Sequence, residues 1–158
     1  MMQTDQEYLS AAIELAKENV RRGGRPFAAI IVKNGEILAQ EVNQMLEQND
    51  PTAHAELLAL RAAGKKLSAT DLAGVTVYAS GQPCPMCLAA CRMSGVGKVI
   101  FAYSNQQAEA YGLSTAHIAK ELAQPLEQQA WLTIKHLSPE DDDLYQQWKA
   151  TTQSIGNK

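Results

Sequence analysis

The stretch VTVYASGQPCPMCLAACRMSGVGKVIFAY, residues 75–103, decides the fold class. It opens on "VTVYAS", a β-branched and aromatic run of strand length, and closes on "KVIFAY", a second run of the same kind. Between them "CPMCLAACRMSG" reads as a helix that ends on glycine. A helix of this length between two apolar strands is the crossover that parallel pairing requires, so the segment predicts an α/β fold. All three cysteines of the chain, Cys84, Cys87 and Cys91, lie inside it.

Working outward, residues 5 to 21 carry Leu9, Ala12, Ile13, Ala16 and Val20 at three- and four-residue steps, the pattern of one amphipathic helix closed by Gly23 and Gly24. "PFAAIIVK" and "EILAQEVN" flank Asn34-Gly35, the pair best suited to the positive backbone angles of a two-residue hairpin turn. Thr52 can cap a helix starting near Ala53 and running through "HAELLALRAAG", with Gly64 beyond its last turn. Downstream, "LSTAHIAKELA" reads as a helix, "WLTIKHL" as a fifth strand, and residues 139 to 153 as a final helix. The expected architecture is a three-layer α/β/α sandwich around a five-stranded sheet, built as one domain over residues 1–158.

The length of 158 residues suits a single core. The longest apolar run, "FAAIIV", falls far short of the roughly 20 residues a membrane helix needs, and "MMQTDQEYLS" lacks the pattern of a secretory signal. These features predict a cytoplasmic protein without membrane attachment. In that reducing setting three clustered cysteines point to metal binding or catalysis rather than to disulfides. A net charge of −3, with 14 Lys and Arg against 17 Asp and Glu, argues against a nucleic-acid partner. "RRGGR" (residues 21–25) is too short a basic cluster to reverse that.

The chemistry gathers at two helix starts. Cys84 and Cys87, two apart at a helix N-terminus, can turn both sulfurs onto one ion, and the helix dipole favours their thiolates. His54 makes a third ligand and leaves a fourth tetrahedral position open, the arrangement of catalytic rather than structural zinc. Two thiolates cancel the charge of Zn²⁺, so such a site acidifies its water weakly and a neighbouring base gains value. Glu56, two residues from His54, is the candidate catalytic base.

"NDPTAHAE" (Asn49 to Glu56) and "PCPMC" (Pro83 to Cys87) together resemble the paired motifs of the cytidine deaminase-like superfamily, within the branch of bacterial guanine deaminases and tRNA adenosine deaminases. H-x-E followed by P-C-x-x-C is the signature of zinc-dependent nucleobase deaminases, in which the glutamate is the general acid and base and not a ligand. The resemblance spans nearly the whole chain. It implies a five-stranded mixed sheet, a zinc-bound hydroxide attacking an amidine carbon, ammonia release, a small nucleobase substrate and a homodimer, with residues 139–158 closing the partner's active site. "RPFAAIIVKNGEILAQEVN" is more similar to the guanine deaminases, which implies conversion of guanine to xanthine. On the same resemblance Asn43 and the Ala55 backbone N–H bind the base and Phe27 stacks on it. The chain departs from the pattern at Gln82, where glutamate is common. It departs again after the fourth strand, where Leu113, Ser114 and Thr115 stand in place of a base-gripping aspartate.

Three other readings fit parts of the sequence. "CPMC" between strand and helix also fits a thioredoxin-like redox site, but that chemistry has no use for "HAE". Editing of tRNA adenosine would need clustered Lys and Arg near the C-terminus, which the sequence lacks. A non-catalytic zinc-binding scaffold is the third reading, opposed by the intact Glu56. Cys91 reads as a small core residue, His117 and His136 as structural or surface, and Tyr145 and Trp148 as a packing stripe or a lid.

Overall fold

The computed structural model describes residues 3–155. The expected domain 1–158 and tail 139–158 therefore extend at their ends, over residues 1–2 and 156–158, outside the described residues. The described chain forms two compact units divided after Ala123.

In the first unit, helix α1 (Asp5–Arg21) starts on Thr4, whose hydroxyl accepts from the Glu7 N–H while the Glu7 carboxylate accepts from the Thr4 N–H. This reciprocal pairing satisfies two otherwise orphaned donors. Strands β1 (Ala28–Lys33) and β2 (Glu36–Val42) follow, joined through Asn34 and Gly35, both in the left-handed region with φ of 51° and 78°. Such angles match the twist of the flanking strands, which is why Asn-Gly works there. Next come the single turn α2 (Met45–Gln48), helix α3 (Ala55–Leu67), strand β3 (Thr76–Gly81), helix α4 (Pro85–Met93) and strand β4 (Lys98–Tyr103). The short α5 (Asn105–Ala108) and α6 (Ala116–Leu122) complete the unit.

The sheet order is β2-β1-β3-β4, with β1 antiparallel to both neighbours and β3 parallel to β4. It is mixed, as expected, and has four strands. The expected fifth, residues 131–137, forms no ladder. Its apolar residues Trp131, Ile134 and Leu137 are exposed, and a strand is defined by the partner that pairs its backbone, which an apolar run alone does not supply. The three-layer arrangement is present. On one face Tyr8 and Ala12 of α1 pack with Ile30, Val32 and Tyr78. On the other Ala59, Leu60 and Ala63 of α3 and Cys91 of α4 pack with Ala29, Ile31 and Val77. Alternate residues of β1 thus serve opposite cores, so "AAIIV" is apolar throughout rather than alternating.

Two boundaries of α3 differ from expectation. Thr52 directs both its N–H and its hydroxyl to the Asp50 carboxylate, at 2.8 and 2.7 Å, so His54 takes the N-cap position instead. At the other end the helix runs through Gly64 to Leu67 and closes on Ser68 in the left-handed region. Gly64 serves a close approach, since a Cβ there would lie 3.1 Å from the Ala69 carbonyl oxygen.

The second unit holds a 3-10 turn (Leu126–Gln128) and helix α7 (Leu144–Ile155). Gln129 organises its start, its amide donating to the Gln124 carbonyl and its side-chain oxygen accepting from the Trp131 indole. Helix α7 starts later than the expected residue 139 and leaves Tyr145 and Trp148 exposed.

Candidate metal centre and active site

The β3–α4 connection aims two sulfurs at one point. Cys84 is the N-cap of α4, and its sulfur accepts from the Cys87 N–H while Pro85 occupies the first helical position, where a missing N–H costs nothing. Cys87, one turn on, is fully buried. His54 caps α3 by backbone alone, because its ring turns to the sulfurs: Nδ1 lies 3.4 Å from Cys84 Sγ and 3.5 Å from Cys87 Sγ. Tetrahedral zinc with one imidazole and two thiolates separates nitrogen from sulfur by about 3.5 Å, given metal–ligand bonds of about 2.0 and 2.3 Å. The three residues therefore fit zinc by donor type and by spacing. Their ligand atoms all lie within 4.8 Å of one another, and no other such group occurs among the described residues.

The thiols share charge unequally. A hydrogen bond from Cys87 pulls Cys84 down to about 4, and the same bond together with burial pushes Cys87 up. The Cys84 sulfur in turn raises His54. Cys91 stands outside the ligand group, in the core beside α3, where burial pushes its thiol up to about 11.

Glu56 lies in the first turn of α3, one helical residue past Ala55, and is 7% exposed. Burial is the main cause that raises its carboxyl to about 7, with the negative Cys84 sulfur adding to it. A carboxyl poised there can take and return a proton near neutral pH. It too stands outside the ligand group.

Asn43, at the end of β2, is buried and held at three points. Its N–H donates to the Phe27 carbonyl, its own carbonyl accepts from the Asn19 side chain, and its Oδ1 accepts from the Met45 N–H. The side chain is left with its amide N–H groups as the free polar end, so it presents donors. The next residue, Gln44, donates to the Ala53 carbonyl and ties this turn to the segment entering His54. Ala55 is fully buried at the first helical position, where backbone N–H groups have no partner inside the helix. Phe27 packs on the α3 core, with its ring against Gly81, where a Cβ would lie 3.2 Å away. It also lines a cavity of about 280 Å³ with Gln82, Tyr103 and Leu113, which His54, Glu56 and the cysteines do not border.

Gln82 has a definite partner. Its Oε1 accepts from the Asn105 N–H at 2.8 Å, and Asn105 Oδ1 accepts from the Thr115 N–H at 3.3 Å. These bonds link the loop before Cys84 to the stretch containing Leu113 and Ser114. The Thr115 hydroxyl itself is buried without a partner. Sequence reasoning missed Asn19 and Asn105, which read as ordinary polar positions and carry no local signal.

A mixed α/β sheet with His-Cys-Cys at two helix N-termini and a buried glutamate beside them defines the class, and residues 2–103 match the profile of the cytidine and deoxycytidylate deaminase zinc-binding region. The chain belongs to that family of zinc-binding deaminases. It is 40% identical over 149 residues to guanine deaminase of Bacillus subtilis, covering 90% of this chain and 92% of the relative. The X-ray structure of guanine deaminase from Bacillus subtilis matches with a TM-score of 0.81 at 36% identity, over 99% of this chain and 98% of that one. The tRNA-specific adenosine deaminase of Aquifex aeolicus is 43% identical over 94 residues, which is 60% of this chain and 62% of the relative.

Proposed function

We propose that the protein hydrolytically deaminates a free purine base, guanine and water giving xanthine and ammonia, with zinc held by His54, Cys84 and Cys87. One observation carries the reading: the likeness to a guanine deaminase runs through nearly the whole of both chains, whereas the likeness to a tRNA-specific enzyme covers three fifths of each. Bound zinc supplies a Lewis acid that lowers the pKa of a water toward neutrality.

The protein's own residues do the rest. Glu56 takes a proton from the attacking water and returns it to the exocyclic nitrogen that leaves as ammonia, a role supported by its burial and its pKa of about 7. Asn43 donates through Nδ2 to an acceptor on the base, a carbonyl oxygen or a ring nitrogen, because its Oδ1 is engaged by Met45. The Ala55 N–H, at the positive end of α3, faces the same ligand. Phe27 stacks on the base plane, its backbone tied to Asn43. The protein acts as a homodimer in which residues 139–158 close the partner's site, supported by the exposed Leu88 and Met93 of α4 and Tyr145 and Trp148 of α7. Three free cysteines, and no helix among the described residues long and apolar enough to cross a membrane, support a cytoplasmic setting.

The test is ammonia release by the zinc-loaded protein from a panel of free purines, pyrimidines and triazines, with tRNA in a parallel arm read for inosine. Release from guanine supports the proposal. Inosine in tRNA without release from any free base would replace it with tRNA editing, and silence in both arms would favour a zinc-binding scaffold.

A further inference from the structure

We infer that Asn19, in the last turn of α1, is a positioning residue for the base-binding wall, clamping the Arg25–Phe27 segment to Asn43 through a single carboxamide. The inference rests on the role given to Asn43 in the proposed function. Asn19 Nδ2 donates to the Arg25 carbonyl at 2.8 Å and to the Asn43 carbonyl at 3.0 Å. A carboxamide nitrogen carries two N–H donors, and here each is spent on a different loop, neither of them part of α1.

Nothing about α1 itself calls for asparagine. The residue is a mediocre helix former, and its neighbours Lys17, Glu18, Arg21 and Arg22 make ordinary ion pairs along the helix surface. What the carboxamide provides lies across the gap. The Asn43 N–H already reaches the Phe27 carbonyl at 3.0 Å, and the Phe27 N–H reaches the Arg25 carbonyl at 2.8 Å. Asn19 closes this into a ring of hydrogen bonds running Asn19, Arg25, Phe27, Asn43 and back. Opening the ring releases the Asn43 carbonyl, and with it the direction in which the Asn43 side chain presents its donors.

Gly24 gives a second, independent observation. Its N–H donates to the Asn19 carbonyl at 2.8 Å, folding the loop directly over the carboxamide. A Cβ at Gly24 would lie 2.6 Å from Asn19 Nδ2 and 2.8 Å from both Cγ and Oδ1. The glycine is there for close approach, since its φ lies outside the left-handed region. Gly24→Ala must therefore push the carboxamide off its two carbonyls while leaving residue 19 as asparagine.

Hydrogen–deuterium exchange on the zinc-loaded full chain reads the clamp without reference to activity. Asn19→Ala and Gly24→Ala should each speed exchange of the Asn43 amide about 10-fold, the scale of losing a pair of neutral hydrogen bonds, with the core amide of Ile31 unchanged. Asn19→Asp, which turns acceptors toward two carbonyls, should do at least as much. In turnover of the best purine substrate, Asn19→Ala should lower kcat/KM in the native background and change it no further in an Asn43→Ala background. Unchanged Asn43 protection in both Asn19→Ala and Gly24→Ala overturns the clamp. A loss of kcat/KM that is equal in the two backgrounds overturns its action through Asn43. Should Asn19→Ala unfold, raising Ile31 exchange as well, Gly24→Ala alone decides. An inactive native protein would refute the proposed function, and the exchange arm would still settle whether Asn19 holds Asn43.

Discussion

Glu56→Gln should make the metal-free protein more stable and the zinc-loaded protein inactive. The Glu56 carboxyl is buried and its pKa rises from the ordinary 4.5 to about 7 in the fold. A raised carboxyl pKa means that the folded state holds its proton more tightly than the unfolded chain does. The stability associated with the neutral carboxyl is fully present below pH 4.5 and is lost as pH rises through 7. Between those limits the native protein should lose about 3 kcal/mol through this one group, at roughly 1.4 kcal/mol for each pH unit separating the two pKa values. Glutamine has nearly the shape of the protonated acid and never ionises, so the variant escapes that loss. Urea unfolding of chelator-treated native and Glu56→Gln protein at several pH values from 4.5 to 8 isolates the effect, because His54 and the cysteines titrate in both. The two should match near pH 4.5 and diverge by about 3 kcal/mol at pH 8, with the variant the more stable. Ammonia release by the zinc-loaded variant should fall by at least about 10²-fold, the usual contribution of a positioned acid–base group. A stability difference that stays flat across this range would refute the reasoning, since it would mean that Glu56 ionises as freely in the fold as in the unfolded chain.

Cys87→Ser replaces a fully buried sulfur of the candidate zinc site by a hydroxyl. Zinc content measured by elemental analysis should drop from about one ion per chain to a small fraction of that, because hydroxyl oxygen is a weak partner beside sulfur and imidazole. Ile31→Ala empties a fully buried site in the core between β1 and α3. It should cost about 2–5 kcal/mol in denaturant unfolding, and a loss below about 1 kcal/mol would contradict the packing described.

Much of the first unit is legible from short stretches, and the reason is local. Asn34-Gly35 demands its turn whatever surrounds it, because few residue pairs tolerate two consecutive positive φ angles. Cys84-Pro85-Met86-Cys87 forms a helix start that converges two sulfurs within one turn, so their closeness follows from chain geometry alone. Where a competing partner entered, local reasoning failed. Thr52 is a good N-cap by residue type, but the Asp50 carboxylate took its hydroxyl, and the cap passed to His54. "WLTIKHL" has strand composition, but among the described residues no strand pairs with it.

The sequence by itself determined the α/β class, the α1 helix, the hairpin and the donor types of the candidate zinc site, one imidazole and two sulfurs. Each of these depends on backbone preference or donor type, which residues carry with them. Only the tertiary structure decided that His54 Nδ1 stands within 3.5 Å of both sulfurs, that Glu56 is buried enough to titrate near 7, and that Asn19 and Gln82 bond to residues of distant loops. Those depend on which surfaces the fold presses together. Burial and hydrogen bonding between residues far apart in the chain leave no trace in any one stretch of it.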